Sequence, residues 1–167
     1  MFNLVVNGVQ FAERDRSLRT KEAPAMSRIS VADFTKITRK TTPLAEVFGL
    51  EVELLETGRA RVRLPFRSDF MRAGGTVSGP AMMMLADYAL YAVIMSVAEN
   101  GAGAVTSNLN TTFLRRPKPV AVIGEATLIR CGRRLAYGEV TMFSEGDKEE
   151  PVAHATGTYA LPAEQSP

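Results

Sequence analysis

The sequence predicts an α+β fold, an antiparallel six-stranded sheet wrapped around one long central helix. Three observations carry that expectation. Residues 78–97 hold a single charged side chain, Asp87, and a helix apolar on nearly every face has to be buried. Six strand-like runs, two before that stretch and four after it, are separated by turn residues. The order is helix, two strands, buried helix, four strands, and a sheet curled around the helix is the simplest way to cover it. At 167 residues the chain is long enough for one domain with a real core.

From the N-terminus, apolar residues flank Asn7-Gly8, a short-hairpin signal. Residues 13–24 are charged and unpatterned, and Met26 offers an alternative start. Residues 1–25 therefore read as an extension of uncertain order outside the core, and 26–167 as a single domain. Ser30-Val31-Ala32-Asp33 resembles a capping box with Asp in the acidic place. Val31, Phe34 and Ile37 recur at helical spacing, so a short amphipathic helix is expected to about Lys40. Thr42-Pro43 opens a second turn that Gly49 closes as a C′ glycine.

Leu50, Val52 and Leu54 alternate with Glu51 and Glu53, then Glu56-Thr57-Gly58 turns the chain. Ala60, Val62 and Leu64 alternate with Arg59, Arg61 and Arg63, which makes a hairpin with one buried and one charged face. The facing Glu and Arg rows can pair across the strands, for tenths of a kcal/mol each. The central helix starts at a glycine turn, with Ser78 as N-cap and Pro80 just inside. Asn100-Gly101-Ala102-Gly103 breaks the pattern, and strands follow at 105–114, 120–130, 134–144 and 152–161. One helix cannot cover every edge of six strands, so pairing with a second copy is expected.

Composition excludes several functions. A net charge of +2 with 23% charged residues, and no basic stripe interleaved with aromatics, argues against nucleic acid. One cysteine, Cys131, builds no disulfide framework and fits a reducing cytoplasm; with one histidine, His154, a zinc site of the usual type is not expected. The longest apolar run, 80–86, is too short to span a membrane, and the opening residues lack a basic n-region. Residues 75–79 lack nucleophile-elbow spacing, the glycine turn has no P-loop ending, and Cys131 has no visible activating partner.

That leaves Asp87. An ionised carboxylate in such a helix is costly unless paired or solvated. It follows Gly79 by eight residues, about 12 Å of helical rise. Two readings stay open: an acid satisfied by neighbouring backbone or by Tyr91, or an acid serving a substrate that also touches the free amides at the helix start.

The motifs around it carry a resemblance. Arg72-Ala73-Gly74-Gly75-Thr76-Val77-Ser78-Gly79-Pro80, then Leu85-Ala86-Asp87, is similar to the signature of the hotdog-fold thioesterases of the phenylacetate-pathway type, which hydrolyse acyl-CoA thioesters. Residues 106–117 look like that family's third strand, Gly132-Arg133-Arg134-Leu135 like its basic hairpin turn, and 153–159 like its last strand. The match runs over roughly 42–161. It implies a hotdog domain, a homo-oligomer (a dimer or a dimer of dimers), an acyl-CoA substrate at a subunit interface, and no cofactor beyond the coenzyme A of that substrate. It places Gly79 N–H on the thioester carbonyl and makes Asp87 the nucleophile or the base for water, with the Ser78 hydroxyl as a helper. Arg72, Ser78 and Pro80 stand where the family has Asn, His and Gly, and Arg72 is expected among the substrate-binding residues. The resemblance also sets Arg130, Arg133 and Arg134 against coenzyme A phosphates, with Arg115, Arg116 and Lys118 as similar candidates.

Chemistry agrees with this assignment. Thioester hydrolysis builds negative charge on the carbonyl oxygen, and a helix N-terminus offers unpaired N–H groups and a favourable dipole. One such donor contributes about 10²–10³ in rate and a positioned base about 10²–10⁴. Met82, Met83 and Met84 can line a pliable acyl pocket, with Met83 the substrate contact, or fill the core. Tyr88 and Tyr91 can bond the acyl group or Asp87, or pack with their hydroxyls at an interface. His154 reads as structural, and Asn108 and Asn110 as a polar strand face at a dimer interface or pocket. The alternative from another class is a hotdog protein that binds an acyl ligand without turnover.

Overall fold

The computed structural model describes residues 27–163 together with two short strands, β1 (Val5–Val6) and β2 (Val9–Gln10), which pair antiparallel. The Asn7-Gly8 turn and the remainder of the 1–25 extension lie outside the described residues.

Helix α1 (Val31–Thr41) starts where Ser30 accepts the Asp33 N–H at 3.1 Å. The Asp33 carboxylate takes the Ser30 hydroxyl at 2.7 Å instead of reaching back to its N–H, because Asp is one methylene shorter than Glu. Phe34 is fully buried and meets Tyr88 edge-on at 5.3 Å, seating α1 against the central helix. Helix α2 (Leu44–Phe48) ends at Gly49, whose φ of +67° is left-handed, as a C-terminal glycine provides.

Strands β3 (Glu51–Glu56) and β4 (Arg59–Leu64) form the expected hairpin, and Arg61 bonds both Glu53 at 2.7 Å and Glu125 at 2.9 Å on its charged face. The expected alternation fails at one point. A bulge between Val52 and Leu54 shifts the phase, so Val52 and Leu55 pack inward while Leu54 faces solvent.

Two short strands, β5 (Met71–Arg72) and β6 (Thr76–Val77), pair across the glycine turn that leads into helix α3 (Gly79–Met95). There follow β7 (Val105–Phe113), β8 (Val122–Cys131), β9 (Leu135–Ser144) and β10 (Pro151–Ala160). The main sheet is six-stranded and antiparallel, in the order β3-β4-β8-β9-β10-β7, and α3 packs on one face of it. The expected fold is the observed one.

What lets a helix lie so close to the sheet is a groove of glycines. A Cβ on Gly138 would stand 2.9 Å from Leu90 Cδ2, and one on Gly157 2.6 Å from Leu90 Cδ1. Leu90 is fully buried between these two strands. Ser96, just past the helix, bonds the Val93 carbonyl at 2.6 Å and accepts the Gly58 N–H at 2.9 Å, tying the helix end to the β3–β4 turn.

Candidate active site

Asp87 sits in the middle of α3 on its half-buried side, facing strands β7 and β10. Its Oδ1 accepts the Thr106 hydroxyl at 2.8 Å and lies 2.6 Å from the Tyr159 hydroxyl, whose single proton also lies within reach of the Asp87 carbonyl at 2.7 Å. Oδ2 takes no hydrogen bond among the described residues. Burial first, and then the charge of Asp87, push the Tyr159 hydroxyl far above the ordinary tyrosine value, so it stays a donor. One carboxylate oxygen is thus held by two donors and the other by none among the described residues.

That carboxylate borders a cavity of about 340 Å³. Met84, Tyr88, Tyr91 and residues 102–106 form most of its wall, and Thr41 and Thr42 close it from the α1 side. Neither helix tyrosine reaches Asp87. Tyr88 OH bonds Thr38 Oγ1 at 2.9 Å, and Tyr91 OH donates to the Ala102 carbonyl at 2.8 Å. Burial raises both above the ordinary value, so they form a rigid apolar wall with their polar ends already satisfied.

Gly79 opens onto a different cavity, of about 380 Å³, bordered by Arg72, Pro80, Met82, Phe113, Leu114 and Arg116 among others. The two cavities share no residue. Helical rise alone separates Gly79 from Asp87 by about 12 Å, so a carbonyl bonded to the Gly79 amide lies beyond direct contact with the carboxylate of the same chain. Ser78 occupies the N-cap position with extended backbone, as expected, but its hydroxyl makes no capping bond. Pro80 fills the second helical position, where a capping side chain would find an N–H, and has none to offer. The Met82 N–H is spent on the Ser78 carbonyl at 3.3 Å, which leaves Gly79 as the first free amide.

The remaining candidates fall elsewhere. Met83 is exposed and borders neither cavity, while Met82 and Met84 border one each. Arg130 and Arg134 flank a third cavity with Leu135, Tyr137 and Thr158, on the sheet face away from α3, and Arg133 is exposed beside it. His154 pairs with Glu139 at 3.2 Å. Cys131 is half-buried, and burial raises its thiol, which disfavours the thiolate. Among the described residues no three His, Cys, Asp or Glu side chains are grouped to hold a metal, and no helix is long and apolar enough to cross a membrane.

Tyr159 and Thr106 were visible in the sequence only as strand residues. Tyr159 is the one large polar side chain on the inward face of β10, otherwise Ala153, Ala155 and Gly157 there, and that oddity was the available signal.

Comparison with known proteins gives the family. The profile of the thioesterase superfamily matches residues 74–151, from the glycine turn to the first residue of β10. A crystal structure of a candidate thioesterase from a Silicibacter species is 33% identical, covers 84% of this chain and 96% of its own, and superposes with a TM-score of 0.74. This chain belongs to the thioesterase superfamily. A mutant of the phenylacetic acid degradation protein PaaI from Thermus thermophilus is 30% identical over 72% of this chain and 99% of its own, with a TM-score of 0.62. A candidate esterase of Thermoplasma acidophilum is 29% identical over 111 residues, 66% of this chain and 82% of that protein. The hotdog thioesterase architecture is shared with these relatives, and membership of the superfamily supports a hydrolase-type function.

Proposed function

We propose that this protein is an acyl-CoA thioesterase whose reaction centre is completed by a second copy of the chain. The observation that carries the reading is a half-buried carboxylate that borders a cavity, with one oxygen pinned by Thr106 and Tyr159 and the other unbonded among the described residues. Asp87 Oδ2 either takes a proton from water, which then adds to the thioester carbon, or adds to it directly. In both routes the carbonyl oxygen gains negative charge against the Gly79 amide, the C–S bond breaks, and the coenzyme leaves as a thiolate that takes up a proton. On the direct route water then hydrolyses the acyl-Asp87 anhydride, releasing the acid and the free carboxylate.

The second copy is argued from β7. This strand ends the sheet and is exposed along most of its length, with Val105 at one end and Phe113 and Leu114 at the other. Unprotected edges of this kind pair with another chain. Thr106, near the start of β7, holds Asp87, whereas Phe113 at its end lies against Gly79. Antiparallel pairing of β7 with its own copy about a twofold axis sets the start of one strand beside the end of the other. The Gly79 cavity of one protomer then faces the Asp87 cavity of its partner.

Binding without turnover is the second reading, and it draws on the internal bonds that already occupy Oδ1. Thiol release from a panel of acyl-CoAs separates the two. Asp87→Asn is expected to abolish release while its thermal unfolding matches that of the wild type. Equal turnover by the variant, or no release by the wild type, would sink the enzymatic reading.

A further inference from the structure

Two guanidinium groups beside the Gly79 cavity, those of Arg72 and Arg116, have no partner among the described residues. Their side chains are exposed, border that cavity and make no ion pair or hydrogen bond among the described residues, whereas Arg115, which borders the same cavity, is held by Glu150. Their placement is built into the fold. Arg72 stands opposite Thr76 in the β5–β6 pair, and the buried Thr76 donates its hydroxyl to the Pro117 carbonyl at 3.2 Å. That bond straps the hairpin to the segment after β7 and sets both arginines on one wall.

The Asp87 cavity differs in charge. No lysine or arginine borders it, and Thr41, Thr42 and Thr106 line it beside Met84, Tyr88 and Tyr91. An acyl-CoA carries its charge in the same way, with an uncharged acyl group at one end and a polyanionic nucleotide at the other. We infer that Arg72 and Arg116 bind phosphate oxygens of the coenzyme A nucleotide and so set the direction of the substrate. The acyl group lies in the tyrosine-walled cavity of one protomer, and the coenzyme arm leaves past Gly79 of the other. Guanidinium suits this task because its planar fork matches two phosphate oxygens and it is weakly hydrated. Arg130 and Arg134 are the competing cations, but they lie on the sheet face away from α3.

The inference rests on the thioesterase reading, yet it can be tested apart from it. The probes are free coenzyme A, measured by calorimetry, and two substrates with one acyl group, its CoA thioester and its N-acetylcysteamine thioester, which lacks every phosphate. In Arg72→Gln/Arg116→Gln the preference for the CoA thioester is expected to fall about ten-fold, with coenzyme A binding weakened alike and the effect fading in high salt. Both side chains are exposed, so unfolding of the variant should match that of the wild type. Equal loss on both substrates would place the arginines at the reacting carbonyl and overturn the assignment. So would loss confined to succinyl thioesters, which would make the anion an acyl carboxylate. Loss carried instead by Arg130→Gln/Arg134→Gln, or no loss at all, overturns it too. If no thioester is cleaved but coenzyme A binding still needs Arg72 and Arg116, the thioesterase reading falls and the phosphate site stands.

Discussion

Asp87 owes its character to two side chains that neighbour it only in space. Tyr159 and Thr106 both hold Oδ1, which orients the carboxylate at the cavity edge and leaves Oδ2 unbonded among the described residues. Tyr159 is thus a positioning residue, and Tyr159→Phe is expected to lower kcat by about ten- to a hundred-fold with little change in KM. The same substitution has a signature in stability. The folded-state value of Tyr159 lies above the unfolded value of about 10, so between the two the folded protein binds the extra proton. Its contribution is complete below about pH 10 and drains away as pH rises beyond that. Urea unfolding of the wild type between pH 8 and 11 should show stability falling at the alkaline end. The phenylalanine variant should show a shallower fall, not a flat line, because Tyr88 and Tyr91 are shifted in the same direction.

Helix α3 stays in place because the sheet has no side chains where the helix comes nearest. Gly138 takes Leu90 on one side and the Thr127 backbone carbonyl on the other, each 2.9 Å from where a Cβ would be. A side-chain tip can swing away; a strand carbonyl cannot. Gly138→Ala should therefore cost about 1–3 kcal/mol, read as a lower urea midpoint at unchanged m. Gly146, at φ +83° with open space around the missing Cβ, contrasts with it: its constraint is backbone conformation and not packing. The β3 bulge belongs at this level too. It turns Leu54 outward and interrupts the regularity of the edge opposite β7. Of the two edges, β7 is the longer and carries the exposed apolar ends.

In the proposed two-chain mechanism, each of the two cavities of one chain supplies half of a reaction centre. Co-expression of Asp87→Asn with Gly79→Pro, each inactive alone, tests whether the halves meet across a twofold axis. A heterodimer of the two has one intact site and one doubly altered site, so random pairing should restore about a quarter of wild-type activity. A protein whose sites are complete within one chain would show no recovery, and sedimentation would reveal whether the chains pair at all.

Local patterns in the sequence were enough for the helices and the six strands of the main sheet in order, though not for the short β5–β6 pair. Ser30, Pro43, Gly49, Gly58 and the glycine turn before Ser78 mark boundaries through preferences that act over a few residues, and periodicity separated strand from helix. The lone acid in an apolar helix and the free amide at Gly79 were equally legible, since burial and capping follow from short-range spacing. The β3 bulge was not, because strand register depends on which partner competes for each carbonyl. Nor were the partners of Asp87: Tyr159 lies 72 residues away and Thr106 lies 19, and only the closing of β10 and β7 over α3 brings their hydroxyls together. The separation of Gly79 from Asp87 into two cavities was also decided in three dimensions, where the surfaces of a folded sheet and helix define what each residue can touch.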